Sequence, residues 1–471
     1  MTLRSVDAKQ MESLRKMIPE DRFSTGDSVL NLHSRDQSFH PPSRPDVVIW
    51  PILKEEVCAV LKYADENRIP VTGWGSGTSM EGNPIPVKGG IVLDFSRMNR
   101  ILQIREQDFQ ADLEPGVIYQ DLNERLRHKG LFFPPDPGAR ATIGGMIGNN
   151  ASGTRTVKYG STRDYVLRLT MALASGELIE TGTRASKTSS GYDLVRLFVG
   201  SEGTLGLVVE ATVRLAGVPS EYGAAVVTFP SLNAAGKCVF EIKRSGLDPA
   251  ALELMDPECI GLMNREKGLG LSVLPTLFME YHGPSSHQLA ETIKVVKEIC
   301  VDTGCTGFNA GFGRGERDRL FRARHELGEM ILRNHPGCGV LVVDVAVPAT
   351  AYPDMIAAVK EEMKKGGVTG YIFSHAGDGN LHVNLVGKRE DQDGWRRIHT
   401  VADRTVAGAL ASGGTATGEH GVGIGKRKFM EAEHGKSLRW MKKIKTLFDP
   451  NGILNPGKMF PYNDDFLQLT R

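Results

Sequence analysis

The first half of the chain places apolar residues in short runs that glycine-rich turns separate. Runs of this length predict short strands, which we expect at residues 46–50, 69–72, 90–95 and 101–113. Between the first two runs, apolar residues recur at helical spacing and predict a helix over 54–68. A second helix is expected over 118–129, ended by Gly130. The segment 131–160 has little periodicity, and its apolar residues and turn glycines predict an ordered loop.

After residue 214 the pattern changes, because longer helices follow the strands. We expect strands at 224–229, 276–281, 339–347 and 381–386. We expect helices near 286–303, 318–334 and 351–365. Strands and helices in this order predict an α+β sheet with helices on one face.

The length of 471 residues is too great for a single hydrophobic core. The turn-like residues 217–220 mark a boundary, and the stretch 449–458 is again rich in turn residues. We therefore predict a first domain over 1–218, a second domain over 219–448, and a C-terminal tail over 449–471 that returns to the first domain.

Charge and cysteine content exclude several classes of protein. The 57 Lys and Arg residues nearly balance the 56 Asp and Glu residues, which argues against a nucleic-acid partner. No apolar run reaches the length of a transmembrane segment. The six cysteines form no C-x-x-C pair, so neither a zinc ribbon nor an iron–sulfur cluster is expected. A cytoplasmic protein is the expectation.

The first segment that carries chemistry is the loop 70–83. Gly73, Gly75 and Gly77 allow successive backbone N–H groups to point into one concavity, which is a nest for phosphate. Thr78 and Ser79 add hydroxyl donors at the same edge. The loop departs from the dinucleotide fingerprint at its third glycine position and lacks the Lys-Ser/Thr of the Walker pattern. A Rossmann fold and a nucleotide triphosphatase are both disfavoured.

Two further stretches, 134–160 and 189–207, are also rich in glycine and small polar residues. Small side chains allow the backbone to lie close against a flat, extended ligand. A single ligand with a pyrophosphate and a planar ring would account for all three stretches.

These stretches resemble the FAD-binding domain of the vanillyl-alcohol-oxidase/p-cresol-methylhydroxylase type. More narrowly, they resemble the branch that contains FAD-linked D-lactate dehydrogenases, the FAD-linked chain of glycolate oxidase and D-2-hydroxyglutarate dehydrogenases. The resemblance implies an α+β protein with a two-part FAD-binding domain over 1–218 and an α+β substrate (cap) domain with an antiparallel sheet over 219–448.

The same resemblance implies contacts to FAD. The residues that would hold the pyrophosphate are Gly73, Gly75, Gly77, Thr78 and Ser79. Those that would lie along the ribityl chain and the flavin are Gly144, Gly145, Asn150, Ser152 and Gly153, and those on its other side are Glu202, Gly203 and Gly206. We expect non-covalent FAD, because no histidine or cysteine falls in these loops.

A second constellation contains histidines and a glutamate. His375 and His382 flank a turn, Gly-Asp-Gly-Asn, that can bring both imidazoles to one side. His382 and Asn384 are two residues apart and share a face if they lie on a strand. Two imidazoles and a carboxylate suit Zn, Mn or Fe(II). A hairpin whose histidines merely cap turns is the alternative, and the Glu419-His420 pair in another glycine-rich loop weighs against it.

By resemblance, His375, His382 and Glu419 bind a divalent metal, Zn or Mn, with Fe as a further alternative. His420 is implied as the base for the substrate hydroxyl, Arg324 as the cation for the substrate carboxylate, and Asn384 as a further catalytic residue. The metal lowers the pKa of the hydroxyl, the imidazole takes the proton, and the hydride passes to flavin N5.

The resemblance also bears on the substrate. D-2-hydroxyglutarate dehydrogenases have a Thr and a Lys where this chain has Gly328 and the apolar run 340–343. D-lactate is therefore expected, a small-molecule substrate, with glycolate and D-2-hydroxyglutarate as alternatives. More distant alternatives are a non-redox transferase of the same fold and a cofactor-binding subunit without its own chemistry. An external electron acceptor is expected, a quinone, a cytochrome or an electron-transfer protein, which leaves open peripheral contact with the inner membrane.

Overall fold

The computed structural model describes residues 3–313, 315, 318, 321, 323–324 and 326–460. The chain divides into two compact units. Unit 1 comprises Met1–Ser152, Ser161–Val218 and Glu419–Arg471, and unit 2 comprises Gly153–Gly160 and Pro219–Gly418.

The division after Val218 coincides with the first predicted boundary, but the second division falls after Gly418 and not after residue 448. The helix Ser437–Phe448 explains the difference. Its Lys445 is buried and donates to the backbone oxygens of Thr204 and Leu454, both in unit 1. Hydropathy reveals which face of a helix is buried but not which domain buries it. The tail beyond residue 460 lies outside the described residues.

Unit 1 contains two main sheets. In the four-stranded sheet, the pairs involving Ile91–Asp94 are parallel, and the strand order is Phe23–Ser24, Val47–Ile49, Ile91–Asp94 and Val71–Trp74. The five-stranded sheet is antiparallel, in the order Ile101–Arg105, Gln110–Leu113, Leu207–Arg214, Val166–Ala172 and Leu178–Gly182. Two short strands, Leu131–Phe132 and Ala216–Gly217, form a separate pair.

The predicted strand 101–113 is in fact a hairpin. Its two strands are joined by a turn at Phe109, whose φ of 56° lies in the left-handed region. The sequence contains little signal for this turn, because residues with side chains rarely adopt a positive φ.

Helices surround these sheets. The predicted helix 54–68 is confirmed as Lys54–Asn67, with Val57, Val60, Leu61 and Ala64 buried in the core. The α-helices of unit 1 are Ala8–Met17, Asp27–Leu32, Lys54–Asn67, Tyr119–Leu126, Ile143–Asn149, Thr162–Tyr165, Leu194–Phe198, Met430–His434 and Ser437–Phe448. The 3-10 turns are Glu20–Arg22, Phe95–Arg97, Arg127–Lys129 and Arg427–Phe429.

The segment predicted as an ordered loop, 131–160, contains the helix Ile143–Asn149. Glycine has low helix propensity, so the pair Gly144-Gly145 and Gly148 hid this helix in the sequence. Thr142 caps it, because its Oγ1 accepts from the N–H of Gly145 at 3.2 Å.

Unit 2 is built on a seven-stranded antiparallel sheet, in agreement with the predicted α+β class. The strand order is Gly307–Phe312, Glu221–Thr228, Thr276–Gly283, Ala251–Met255, Thr369–His375, Asn380–Lys388 and Cys338–Ala346. Its described α-helices are Thr156–Tyr159, Leu232–Arg244, Pro257–Lys267, Ser286–Asp302, Leu327–Asn334, Tyr352–Gly366 and Gln392–Ala411, with a 3-10 turn at Ala376–Asp378.

The prediction of helices on one face holds only in part. Four long helices cover one face of the sheet, namely Leu232–Arg244, Ser286–Asp302, Tyr352–Gly366 and Gln392–Ala411. On the other face, Pro257–Lys267 and Leu327–Asn334 bury Leu262, Met263 and Met330 against Phe278 and Phe373 of the strands. One half of that second face is therefore apolar, and the polar residues of the same face lie beside this half. Within the described ranges, no helix combines the length and the apolarity that crossing a bilayer needs.

Candidate functional site

Unit 1 contains a long cleft with about 1330 Å³ of empty space, part of it open to solvent. Its wall is formed by residues from Gln37 to Asn455, which come from many separate segments, so this cleft suits a large, extended ligand. All three glycine-rich stretches contribute to its wall. The predicted residues that line it are Gly73, Gly75, Gly77, Thr78, Ser79, Gly144, Gly145, Glu202, Gly203 and Gly206.

Two glycines of the first loop have no room for a side chain. A Cβ at Gly75 would overlap with Oγ1 of Thr142, and a Cβ at Gly77 would lie 2.7 Å from the Trp74 ring. Gly77 also has a φ of +66°, which favours glycine. The loop therefore packs tightly and leaves its backbone at the cleft wall, as a phosphate-binding loop requires.

Three residues predicted to lie along the flavin are absent from the cleft lining. Asn150 ends the helix Ile143–Asn149, and its Oδ1 accepts from the Oγ of Ser161 and the N–H of Arg163. Ser152 donates to Glu419 at 2.9 Å. Gly153 begins the unit 2 segment, and its N–H donates to Thr156. These residues shape the loop around the cleft.

Glu202 lines the cleft but directs its carboxylate toward protein partners. It is 6% exposed and accepts from the backbone N–H groups of Val422 and Gly423 and from Nδ2 of Asn83. Burial raises the pKa of the Glu202 carboxyl, and these hydrogen bonds oppose the rise. Glu202 thus fixes the loop that follows His420.

Several cleft residues were not predicted from the sequence. Asn83, Asn149 and Asn455 also line the cleft, and Nδ2 of Asn149 donates to the backbone oxygen of His420 at 3.1 Å. Composition was the one sequence feature that pointed to such residues, because Asn149 lies in the stretch 134–160, which is rich in small residues. Glu419 and His420 are half-buried and line the same cleft in unit 1.

In unit 2, the polar residues gather on one face of the sheet. The predicted hairpin is present, with Thr369–His375 and Asn380–Lys388 joined by a tight turn. Strand register pairs Glu253 with His375 and pairs His382 with both Phe373 and Asp344. The rings of His375 and His382 are 5.1 Å apart and nearly perpendicular.

Each of these histidines has a carboxylate at its Nδ1. The Nδ1 of His375 donates to Oε1 of Glu253 at 2.7 Å, and the Nδ1 of His382 lies 3.5 Å from Oδ1 of Asp344. Both carboxylates are fully buried. Burial alone would raise the pKa of Glu253, but the charges of His375 and Arg324 lower it below its ordinary value. A carboxylate at one ring nitrogen is the usual arrangement of a metal-binding histidine, which binds through the other nitrogen.

Asp344 also organises the segment that leads to Glu419. Its Oδ1 accepts from Asn380 at 2.6 Å, and its Oδ2 accepts from Thr417 at 3.0 Å. A Cβ at Gly418 would overlap with the Asn380 side chain, so only glycine fits there. The chain then continues directly into Glu419 and His420.

Nη2 of Arg324 and Oδ1 of Asn384 are among the buried polar atoms on this face that make no hydrogen bond to any described residue. Arg324 donates through Nε to Oε2 of Glu253 at 2.7 Å, and its guanidinium lies over the Phe373 ring. Buried polar groups normally have partners, so these atoms are suited to a bound ligand.

Comparison with known families identifies what kind of protein has these two units. Residues 218–459 match a family described as "FAD linked oxidases, C-terminal domain". Residues 45–182 match a family described as "FAD binding domain".

This chain belongs to the FAD-linked oxidase family.

This FAD-linked oxidase is similar along almost its whole length to proteins with curated names. It is 39% identical to the probable mitochondrial D-lactate dehydrogenase of Danio rerio, over 95% of this chain and 91% of the relative. It is 36% identical to the mitochondrial D-lactate dehydrogenase [cytochrome] of Arabidopsis thaliana, over 96% of this chain and 80% of the relative. It is also 36% identical to the glycolate oxidase subunit GlcD of Bacillus subtilis, over 95% and 96%.

Solved structures show the same fold. The 4-ethylphenol oxidase of Gulosibacter chungangensis has a TM-score of 0.80 at 18% identity and covers 98% of this chain and 99% of its own. A p-cresol methylhydroxylase has a TM-score of 0.78 at 16% identity, with 97% of each chain covered. The chain therefore has the vanillyl-alcohol-oxidase type of fold, binds FAD and is an FAD-linked oxidoreductase.

Proposed function

We propose that this FAD-linked oxidoreductase oxidises a small D-2-hydroxy acid, D-lactate to pyruvate, with a divalent metal bound by His375, His382 and Glu419. The observation that carries the proposal is the sheet face of unit 2. There, two histidines with carboxylates at Nδ1 lie near a buried arginine whose Nη2 makes no hydrogen bond to a described residue. Few structural needs would place so many buried polar groups together.

The cleft of unit 1 fits FAD. Its glycine loop lines the wall, which supports a backbone N–H nest for the pyrophosphate, and a Cβ at Gly75 or Gly77 would collide with Thr142 or Trp74. When bound, FAD supplies the two-electron acceptor that no side chain offers. Because Glu419 and His420 line the same cleft, substrate chemistry and flavin are expected to meet there.

The donor set fits a divalent metal, with Zn or Mn favoured by two imidazoles and one carboxylate. When bound, the metal supplies a Lewis acid that lowers the pKa of the substrate hydroxyl. Glu253 accepts from Nδ1 of His375, and Asp344 lies beside Nδ1 of His382, so the cation would bind through Nε2 of each ring.

Three residues act on the substrate in this proposal. Arg324 binds the carboxylate, since its Nη2 has no hydrogen bond to a described residue. Asn384 offers its buried Oδ1 as an acceptor on the same sheet face. His420 takes the hydroxyl proton, and Asn149 holds the His420 backbone in place for that task.

The names of the relatives support D-lactate, because two of the three compared are D-lactate dehydrogenases. The chain itself supports a substrate with one carboxylate. Gly328 has open space around it, and Val342 pairs in register with Asn384, so neither position offers a charge to a second carboxylate. Glycolate is the second candidate, favoured by the GlcD relative, and it differs from lactate by one methyl group.

The reduced flavin needs an external acceptor under this proposal. The Arabidopsis relative is named for a cytochrome, which supports a cytochrome over a quinone or an electron-transfer protein. We place the enzyme in the cytoplasm or in peripheral contact with the inner membrane.

Removal of the metal tests the mechanism. Treatment with a chelator is expected to abolish D-lactate oxidation yet leave the FAD spectrum intact, and Mn²⁺ or Zn²⁺ is expected to restore the rate. His382→Ala is expected to lose bound metal, whereas His420→Ala is expected to retain it and fail in the chemical step. His335→Ala is the matched control, because His335 is hydrogen-bonded to Tyr371 and has no proposed role.

Metal analysis and melting curves of the three variants decide the outcome. A fully active metal-free enzyme would contradict the metal mechanism and leave the FAD assignment standing. Equal metal content in all three variants, with lowered melting temperatures, would show that the histidines are structural.

A further inference from the structure

One carboxylate on the sheet face of unit 2, that of Glu253, is hydrogen-bonded to two side chains that have different roles in the proposed function. Glu253 lies at the middle of the strand Ala251–Met255 and is fully buried. Its Oε1 accepts from Nδ1 of His375, and its Oε2 accepts from Nε of Arg324, each at 2.7 Å. Both oxygens of the carboxylate are therefore engaged by different side chains.

The hydrogen bond to His375 determines the form of the imidazole. Because Nδ1 donates to the carboxylate, the lone pair of the neutral ring is on Nε2. The strand register supports this geometry, since Glu253 and His375 are paired across adjacent strands. Carboxylates in this position orient a metal-binding ring and increase its basicity.

The hydrogen bond to Arg324 determines the direction of the guanidinium. Nε donates to Glu253, and Cζ of the guanidinium lies over the Phe373 ring, 4.8 Å from its centre. A guanidinium is rigid and planar, so fixing Nε against Glu253 and its face against Phe373 also fixes the terminal nitrogens. Nη2 is then held in place without a hydrogen bond to any described residue.

We propose that Glu253 is a positioning residue that couples metal binding to substrate binding, by fixing the tautomer of His375 and the orientation of Arg324 with one carboxylate. The inference rests on the proposed function, since it assumes that His375 binds metal and that Arg324 binds the substrate carboxylate. Glu253 itself contacts neither ligand in this account. By holding both His375 and Arg324, it would set the distance between the groups that receive the hydroxyl and the carboxylate of one small substrate.

The competing explanation is that Glu253 only neutralises buried charge. A buried carboxylate that is hydrogen-bonded to an arginine and a histidine can have a purely structural role, because removal of one member of such a set is destabilising. Asp256 provides the matched control, because it is equally buried and is paired with Lys360 at 2.9 Å, but it contacts neither His375 nor Arg324. Asp256→Asn and Glu253→Gln therefore each remove a buried negative charge from the same short stretch of chain.

The first measurement is metal affinity in the FAD-loaded protein, by equilibrium dialysis against Zn²⁺ or Mn²⁺. Glutamine keeps the shape of Glu253 but has one acceptor oxygen in place of two, so it cannot serve both partners. We expect Glu253→Gln to raise the Kd for the metal by about 10- to 100-fold, the range found when such partners of metal-binding histidines are removed. We expect Asp256→Asn to leave the Kd within twofold of the wild-type value, which is about the resolution of such a comparison.

The second measurement, KM for D-lactate, separates the effect of Glu253 on Arg324 from its effect on His375. Glu253→Gln is expected to raise KM for D-lactate, and in an Arg324→Met background the same change is expected to leave KM nearly unaltered while still weakening metal binding. This non-additivity follows if Glu253 acts on the substrate only through Arg324. Glu253→Asp, which keeps the charge, is expected to recover part of both losses.

The outcomes distinguish this inference from the function on which it rests. If wild-type protein binds no divalent metal, the proposed function fails and the inference fails with it. If wild-type protein binds metal but Glu253→Gln binds it equally well, with a melting temperature lowered as in Asp256→Asn, the positioning role is refuted and the proposed function stands.

Discussion

At the scale of single residues, the proposed function makes the side chains that face Asn384 the determinants of substrate size. Val342 is paired with Asn384 across adjacent strands, and it is a partly exposed member of the apolar run 340–343 on this face of the sheet. Among the described residues, no atom lies within 4 Å of where a Cβ of Gly328 would be. Neither residue can pair with a second carboxylate.

A lysine at residue 342 is predicted to change this selectivity. A buried or half-buried ammonium that meets a carboxylate is worth about 1.5–3 kcal/mol. Val342→Lys should therefore increase kcat/KM for D-2-hydroxyglutarate relative to D-lactate at least about tenfold, since 1.4 kcal/mol corresponds to a factor of ten. Steady-state kinetics with both acids measure the ratio.

The control is Val342→Met, which has similar length and no charge. An equal gain with methionine would show that added bulk, not charge, changes the selectivity. No gain with lysine would mean that the second carboxylate of the larger acid lies elsewhere.

Residues that stand in a local pattern could be predicted from the sequence. His375, His382 and Asn384 were grouped by spacing alone, and the hairpin does bring their side chains to one face. Glu253 was not predicted, because it contacts His375 from a strand 122 positions earlier in the sequence and no local pattern records that pairing.

At the scale of elements, the cleft depends on the close packing of the glycine loop against a helix. Thr142 caps the helix Ile143–Asn149, and the same hydroxyl oxygen occupies the space where Gly75 would have a side chain. One atom thus couples the two segments of the cleft wall.

Gly75→Ala is predicted to weaken FAD binding, because the new Cβ would overlap with Oγ1 of Thr142. Overpacking of this kind costs about 1–3 kcal/mol. We expect affinity for FAD to fall about tenfold or more, measured as FAD per chain in the supernatant after acid denaturation. Colour retained by the precipitate would instead show a covalent flavin.

Two variants make this prediction specific. Gly217→Ala adds a methyl group where no atom lies within reach, so FAD content should be unchanged. Thr142→Ala combined with Gly75→Ala should recover part of the FAD lost by Gly75→Ala alone. If it recovers none, the steric explanation is incorrect.

Elements whose apolar residues recur at regular spacing could be predicted. Elements with an unusual composition or backbone conformation could not. The helix Lys54–Asn67 followed from its apolar spacing. The helix Ile143–Asn149 did not, because three of its seven residues are glycines. Nor did the turn at Phe109, which has a positive φ without a glycine.

At the scale of the whole molecule, residues that act together in the proposed function are far apart in the sequence. Glycine loops occur from residue 73 to residue 206, and the histidine pair and Glu419 follow far later. Unit 1 resumes at Glu419, directly after the segment that Asp344 and Asn380 hold in unit 2. A hydropathy pattern cannot reveal this return, which is why the predicted boundary lay at residue 448.

The central claim is that D-lactate reduces the FAD of this enzyme, and the absorbance of the flavin under anaerobic conditions tests it most directly. We predict that D-lactate bleaches the oxidised flavin in single-turnover experiments, faster by orders of magnitude than L-lactate or D-2-hydroxyglutarate. Under the proposed function, Arg324, the metal and the flavin would each contact the substrate and so select one enantiomer. A flavin that dithionite bleaches but D-lactate does not would contradict the proposed function. Equal bleaching by D-2-hydroxyglutarate would contradict the account of the substrate.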